Sequence, residues 1–271
     1  MIGETGEDVV KAEAVTSPAN PLLKEIRRAV ARGARTSDGF CIAETFHLFE
    51  EALASGCDIG AVLAAESAQS AVEARLRGRP GTRLLVLADA LFRSLSDTEA
   101  AQGVMALVRP PEWELDRLFT GQPLVVVLDG VQDPGNAGAI IRTAEAFGAT
   151  GLIFLKGTVS PYNPKAVRAS AGSIFRVPLV SGLEAGPARA ALEAHGLDVY
   201  AAAPSASKGL DEAGLTRGCA FVIGSEGRGV SEEWSAGTSG LRIPTRGVES
   251  LNAATAAAIL LYEARRQRDR P

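Results

Sequence analysis

Only two histidines and three cysteines occur in the 271 residues. Cys41, Cys57 and Cys219 are scattered and odd in number, so no disulfide framework can be read from them. None stands at metal-ligand spacing from a partner, which argues against a zinc site, and no metal is expected. Reduced, buried thiols are the simplest reading. A basic excess is also missing: the formal net charge is −4, so nothing in the overall balance advertises a nucleic-acid partner. No apolar run approaches the roughly 20 residues that span a bilayer. The start, MIGETGEDVV, is acidic and lacks the apolar core of a signal peptide. A cytoplasmic protein without a membrane partner is the resulting expectation.

What is present is ordinary globular composition, with 46% hydrophobic and 22% charged residues. The length suits two domains, each large enough for its own core. Residues 1–16 read as a flexible acidic tail. Asn20-Pro21 then supplies a cap and a first helical position, and Leu22, Leu23, Ile26 and Val30 follow at helical spacing. Strands are expected at 59–64, 83–87 and 104–108, with helices over 44–55 and 94–103. Together these define a small α/β domain over 17–110. Arg109-Pro110-Pro111 breaks the pattern and opens a linker over 111–123.

From 124 onward strands and helices alternate: strands at 124–128, 152–155, 198–202 and 220–223, a weaker one at 174–179, and helices at 136–147, 164–171, 187–195 and 252–266. Such alternation argues for a parallel sheet covered on both faces. Basic residues cluster at Lys24, Arg27, Arg28, Arg32 and Arg35, and again at Arg265, Arg266, Arg268 and Arg270. Runs of this kind can bind phosphates, but more often they are solvated helix faces.

Ligands of open parallel sheets bind beyond the carboxyl ends of the strands. Three loops there carry unusual residues. The first, Asp129 to Gly138, has a tight turn, with Asn136 placed to cap the following helix and Arg142 just inside it. A capped helix with a surface arginine is the plainer explanation. The second, Gly224-Ser225-Glu226-Gly227-Arg228-Gly229, lacks the P-loop lysine and the dinucleotide glycine spacing, and Glu226 would repel a phosphate. The third runs from Ile243-Pro244 to Ser250-Leu251-Asn252, where Ser250 and Asn252 again suit capping. Capping does not explain three polar, turn-rich loops in one half-chain.

Taken together, Asn136 with Gly138 and Ile140-Ile141-Arg142-Thr143-Ala144, the loop 223–229, and Ile243-Pro244 with Glu249-Ser250-Leu251-Asn252 resemble the three ordered motifs of the SpoU/TrmH family of RNA methyltransferases. Arg168 with Ala169-Ser170-Ala171-Gly172 adds to the match. Ser17-Pro18, Asn20-Pro21, Arg35 and Glu44 resemble the RNA-binding domain that precedes the catalytic domain in many members. Two departures stand in the third motif: its loop is about one residue short, and Asn252 is followed by Ala-Ala-Thr.

The resemblance implies an α/β fold in which a C-terminal parallel-sheet trefoil-knot (SPOUT) methyltransferase domain, 124–271, follows a small α/β RNA-binding domain. It implies S-adenosylmethionine as cofactor, held around Gly224, Ile243 and Leu251. It implies ribose 2′-O-methylation of RNA, ribosomal RNA before transfer RNA, by a homodimer. Arg142, Asn136, Glu226, Ser250 and Asn252 would form the catalytic set, and Lys24, Arg35 and Arg168 would contact RNA. The rival of another class is a non-catalytic RNA-binding protein on the same fold.

Overall fold

In a computed structural model, which describes residues 10–98 and 100–269, the chain divides into two units. The first comprises residues up to Pro111 together with Tyr162–Phe175; the second comprises Glu112–Pro161 and the chain from Arg176.

The first unit contains β1 (Ala12–Ala14), α1 (Pro21–Arg32), β2 (Cys41–Glu44), α2 (Phe46–Ala54), β3 (Asp58–Ala65), α3 (Gln69–Arg75), β4 (Leu84–Leu87), α4 (Asp89–Arg93) and β5 (Val104–Arg109). The sheet order is β1-β4-β3-β5-β2, with β5 antiparallel to both neighbours and the rest parallel. Asn20 caps α1, accepting from the Leu22 amide at 2.9 Å, and Gly33 ends it in the left-handed region. Leu23, Ile26 and Ala29 then meet Ile42, Leu63, Leu85 and Leu107, alternate residues of four strands, in one buried cluster.

Three expectations need correction in this unit. Residues 12–14, read as tail, form an edge strand whose side chains are all exposed, so no hydrophobic pattern marks it; residues 1–9 lie outside the described residues. The helix expected over 94–103 is absent among the described residues: the short α4 ends before it, at Arg93, and turns follow. There the Ser96 and Thr98 hydroxyls are drawn to the buried Glu44 carboxylate, Thr98 at 3.0 Å. Finally, the segment 162–175, with α6 (Pro164–Ala169), belongs to this unit although it lies far along the chain. Arg168 anchors it. The guanidinium Nη1 lies 3.6 Å from Glu44 Oε2 and Nη2 3.3 Å from Asp97 Oδ2.

In the second unit, a 3-10 turn at Leu115–Phe119, within the stretch read as a linker, buries Leu118 and Phe119. β6 (Leu124–Asp129), α5 (Pro134–Ala146), β7 (Gly151–Leu155), β8 (Leu179–Leu183), α7 (Ala185–Ala194), β9 (Asp198–Ala202), β10 (Cys219–Gly224), α8 (Glu232–Ser235), β11 (Ser239–Leu241) and α9 (Ala253–Arg268) follow. The order is β11-β9-β10-β6-β7-β8, every pairing parallel. The strand expected over 174–179 starts only at Leu179; Ser173–Phe175 is a 3-10 turn in the other unit.

Val125, Val127, Ile153, Ala220 and Val222 face Leu192 and the fully buried Trp234 in one cluster, while α9 packs against α5 and β10. This sheet buries both faces, which is why β6 and β10 read as unbroken apolar runs. β6 and β10 lie side by side, Asp129 beside Gly224, yet their connections leave in opposite directions along the sheet. That is a topological switch point, where parallel α/β sheets open a crevice.

Among the described residues no helix is long and apolar enough to cross a membrane. Burial pushes the Cys41 thiol up to about 12 and the Cys219 thiol up to about 11, the latter against the opposing pull of Arg268. Both stay protonated, and neither is a nucleophile at neutral pH.

Candidate active site

The loops leaving β6, β10 and β11 meet at the carboxyl end of the second sheet. The first is capped by Asp133, not Asn136: the Asp133 carboxylate accepts from the Asn136 amide nitrogen at 2.8 Å. With capping done by its neighbour, the Asn136 side chain is free to act as a bridge. It donates from Nδ2 to Glu226 Oε1 at 2.7 Å and accepts at Oδ1 from Asn252 Nδ2 at 2.9 Å. Asn252 also caps α9, its own Oδ1 accepting from the amides of Ala254 and Thr255 at 2.9 and 3.2 Å. One amide from each of two motifs and the carboxylate of the third thus form a continuous hydrogen-bonded chain.

Glu226 is the acceptor on which the chain ends. Partial burial would raise its pKa, but hydrogen bonds from the Asn136 side chain and nearby backbone amides prevail, and the carboxyl lies below its ordinary value. It is therefore a carboxylate at neutral pH. Gln132, a residue the sequence did not single out, supports it twice. Its backbone amide donates to Glu226 Oε2 at 3.3 Å, and its side chain ties Gly130 O and Gly157 O together at 2.9 and 2.7 Å. Asp129 similarly accepts from the Ser231 amide at 2.7 Å, fixing the far side of the second loop.

The second loop is a closed turn. Ser225 and Gly229 exchange backbone hydrogen bonds at 3.0 and 2.9 Å, and Gly229 has φ +69°, a conformation that favours glycine. A Cβ on Gly224 would lie 2.1 Å from the Gly229 carbonyl carbon, so this position admits no side chain.

A cleft of about 550 Å³ opens between this loop, the end of β9 and the third loop. Its apolar wall includes Ala202, Ile223, Leu241, Ile243 and Leu251; its charged lining residues are Glu226 and Glu249, with no lysine or arginine among them. Gly224, Ile243 and Leu251, the expected cofactor residues, all line it, as do Glu226, Ser250 and Asn252. Asn136 reaches it only through its two hydrogen bonds. Arg142 lies outside the lining, exposed on α5. Ala202 at the end of β9, with Ala203 and Pro204 after it, were missed; small apolar residues at a strand's end carry no distinguishing signal.

The residues expected to touch RNA fall in the first unit. Lys24 is exposed on α1. Arg35 is exposed and lies over the Tyr162 ring at 4.7 Å. Arg168 is different: its side chain is 20% exposed and its charge is taken up by Glu44 and Asp97. It holds its segment in place and is not a free phosphate ligand.

Residues 123–262 match the family model of the SpoU rRNA methylases. The chain belongs to that family. Residues 20–106 match an MRM3-like substrate-binding domain. A SpoU relative in Bacillus subtilis, 23S rRNA (guanosine(2553)-2′-O)-methyltransferase RlmP, is 32% identical over 93% of this chain and 98% of its own length. A 23S rRNA (uridine(2479)-2′-O)-methyltransferase of Streptomyces viridochromogenes is 37% identical over 69% of this chain and 68% of its own length. Among solved SpoU-type structures, an AdoMet-bound rRNA methyltransferase from Sinorhizobium meliloti superposes with TM-score 0.82 at 29% identity, covering 94% of this chain and 98% of that one.

Proposed function

We propose that this chain is an S-adenosylmethionine-dependent methyltransferase that modifies a ribose 2′-hydroxyl in ribosomal RNA. The observation that carries this reading is the hydrogen-bonded chain Asn252–Asn136–Glu226, which joins three motif loops at the mouth of an acid-lined cleft. The relatives' printed reactions, 2′-O-methylation of 23S rRNA, supply the chemistry.

The residues present fit the cofactor. S-adenosylmethionine carries a sulfonium, an ammonium and one carboxylate, a net positive charge, and the cleft's charged lining residues are two glutamates. A nucleoside triphosphate would meet two carboxylates and no basic lining residue, which disfavours it. The apolar wall of Ile223, Ile243 and Leu251 suits an adenine ring, with backbone groups of the two loops left to fix it.

When bound, the cofactor supplies a methyl group on cationic sulfur, so the leaving group departs neutral. The protein's work is then alignment and assistance of proton loss from the 2′-hydroxyl. Asn136 and Glu226 hold the loops in register, and Ser250 and Asn252 offer a hydroxyl and an amide to the ribose. Arg142 is a guanidinium that keeps its proton. Its role is to hold the neighbouring phosphate and to stabilise negative charge developing on the 2′-oxygen. Because Arg142 lies outside its own chain's cleft, a second copy completing the site is the consistent assembly. The trefoil knot of the family is part of this reading of the second unit. The substrate-binding match at 20–106 supports RNA capture by the first unit, with Lys24 and Arg35 as its proposed contacts.

Methyl transfer from labelled S-adenosylmethionine to unmodified ribosomal and transfer RNA, followed by nucleoside analysis, tests this reading. A labelled 2′-O-methylnucleoside in the ribosomal fraction is expected. Label only in transfer RNA would reassign the substrate, and cofactor binding without label in any RNA would favour the non-catalytic alternative.

A further inference from the structure

Two arginines border the acid-lined cleft without entering its lining. Arg228 lies between Gly227 and Gly229, both of which line it, and Arg246 follows Thr245, which also does. Arg228 rides on a turn closed by reciprocal backbone hydrogen bonds, and Arg246 on a bend held by one side-chain hydrogen bond. Around Arg228, Ser225 and Gly229 exchange two backbone hydrogen bonds, and the Arg228 amide donates to Ser225 Oγ at 3.2 Å. Around Arg246, Thr245 Oγ1 donates to Val248 O at 3.1 Å, and Gly247 takes φ +76°. Both side chains are exposed. Glu226 and Glu249 are only two and three residues away in sequence, yet among the described residues neither arginine forms an ion pair with them. Glu226 is instead held by Asn136 and Gln132. Two uncompensated guanidiniums are thus presented, one on a closed turn and one on a bend, beside a cleft whose lining carries the opposite charge.

We propose that Arg228 and Arg246 bind backbone phosphates of the RNA on either side of the target nucleotide. The charge is sorted by position: the carboxylates line the cleft that would take a cationic cofactor, and the guanidiniums stand beside that lining, where a polyanion would lie. This inference rests on the methyltransferase reading and adds, beside Arg142, two further residues by which the catalytic unit itself holds RNA. Planar guanidiniums suit phosphate oxygens, and their positions on short turns reduce the ordering needed on binding.

The test compares wild type with Arg228→Ala, Arg246→Ala, the double variant, and Arg228→Lys/Arg246→Lys. The probe is an unmodified transcript of large-subunit ribosomal RNA, with binding measured across a salt series and cofactor affinity measured separately. The expected result is unchanged S-adenosylmethionine affinity and a raised KM for RNA. The slope of log affinity against log salt should fall by about 0.7–0.9 for each arginine removed and be kept by the lysine pair. An unaltered slope and KM in the double variant, with the wild type methylating the transcript, would overturn this inference alone. A wild type that binds no cofactor and methylates no RNA would overturn the methyltransferase reading and this inference with it.

Discussion

Replacing Asn136 separates the electrostatic role of the loop network from mere packing. Asn136 donates to the Glu226 carboxylate at 2.7 Å and accepts from Asn252 at 2.9 Å. A hydrogen bond to a charged group contributes about 1.5–3 kcal/mol, but Glu226 and Asn252 are exposed, so water replaces part of the loss and the low end applies. Asn136→Ala should therefore lower kcat/KM about tenfold, the equivalent of roughly 1.4 kcal/mol. Asn136→Asp keeps the shape and can still accept from Asn252, but it sets a second carboxylate against Glu226. Two like charges about 4 Å apart cost about 1 kcal/mol in water and about 4 at the effective dielectric of a protein surface. The isosteric variant should thus be the worse of the two near neutral pH. The Glu226 carboxyl is held low in the folded wild type, so its contribution to stability is full above its unfolded pKa and is lost as pH falls through the folded value. In Asn136→Asp the sign reverses: mutual repulsion raises the pair, protonation of one member restores a donor, and the deficit shrinks on acidification. Measuring kcat/KM and cofactor affinity from about pH 5 to 8 reads this directly. An Asn136→Asp enzyme equal to wild type, or a deficit that does not change with pH, would refute the electrostatic argument.

Three further outcomes are expected. Arg142→Ala should fold normally, with stability within about 0.5 kcal/mol because the side chain is exposed, and should bind S-adenosylmethionine while losing turnover; single-turnover methylation checks this, and wild-type rates would remove Arg142 from the mechanism. Arg168→Ala leaves Glu44, with a side chain 3% exposed, without its counter-charge and should cost about 3–5 kcal/mol in denaturant unfolding of the first unit; unchanged stability would return Arg168 to the RNA contacts. Gly224→Ala places a methyl 2.1 Å from the Gly229 backbone and should abolish cofactor binding measured calorimetrically, whereas Gly227→Ala, whose Cβ meets nothing within 4 Å, should not.

Much of the second unit was legible because its signals are local. Five apolar residues in a row at 124–128 and an alanine-rich helix behind Asn252 are what a doubly covered parallel strand and a capped helix require. The role of Asn136 was not legible in the same way. Capping rules assign a side chain to its own helix, and they selected Asn136 where Asp133 does the work. Its true partners stand 90 and 116 residues away, and only the tertiary structure brings them together. The pairing of Arg168 was hidden for the same reason. Its motif placed it in the catalytic half of the sequence, but its segment belongs to the first unit, where it meets the buried carboxylate of Glu44 on β2. Gln132 gave no signal because its value lies in two backbone carbonyls that no spacing rule reports.

Charge was the least readable feature of all, and the reason is physical. The C-terminal run looks like a phosphate-binding cluster, yet its described members are occupied internally. Arg265 pairs with Asp269 and Arg266 with Glu263, each at 2.6 Å. Arg268 donates to the carbonyls of Leu215, Gln122, Pro123 and Arg217. Arg142, Arg228 and Arg246 stand in no run, and among the described residues none has an ion-pair partner. Beyond a screening length of about 8–10 Å the net charge of −4 is scarcely felt by a bound phosphate. What a polyanion meets is the set of guanidiniums left uncompensated near the cleft. An acidic chain can therefore hold RNA, provided its basic groups are unpaired at the site and its surplus carboxylates lie elsewhere or, like Glu226 and Glu249, line a cleft suited to a cation.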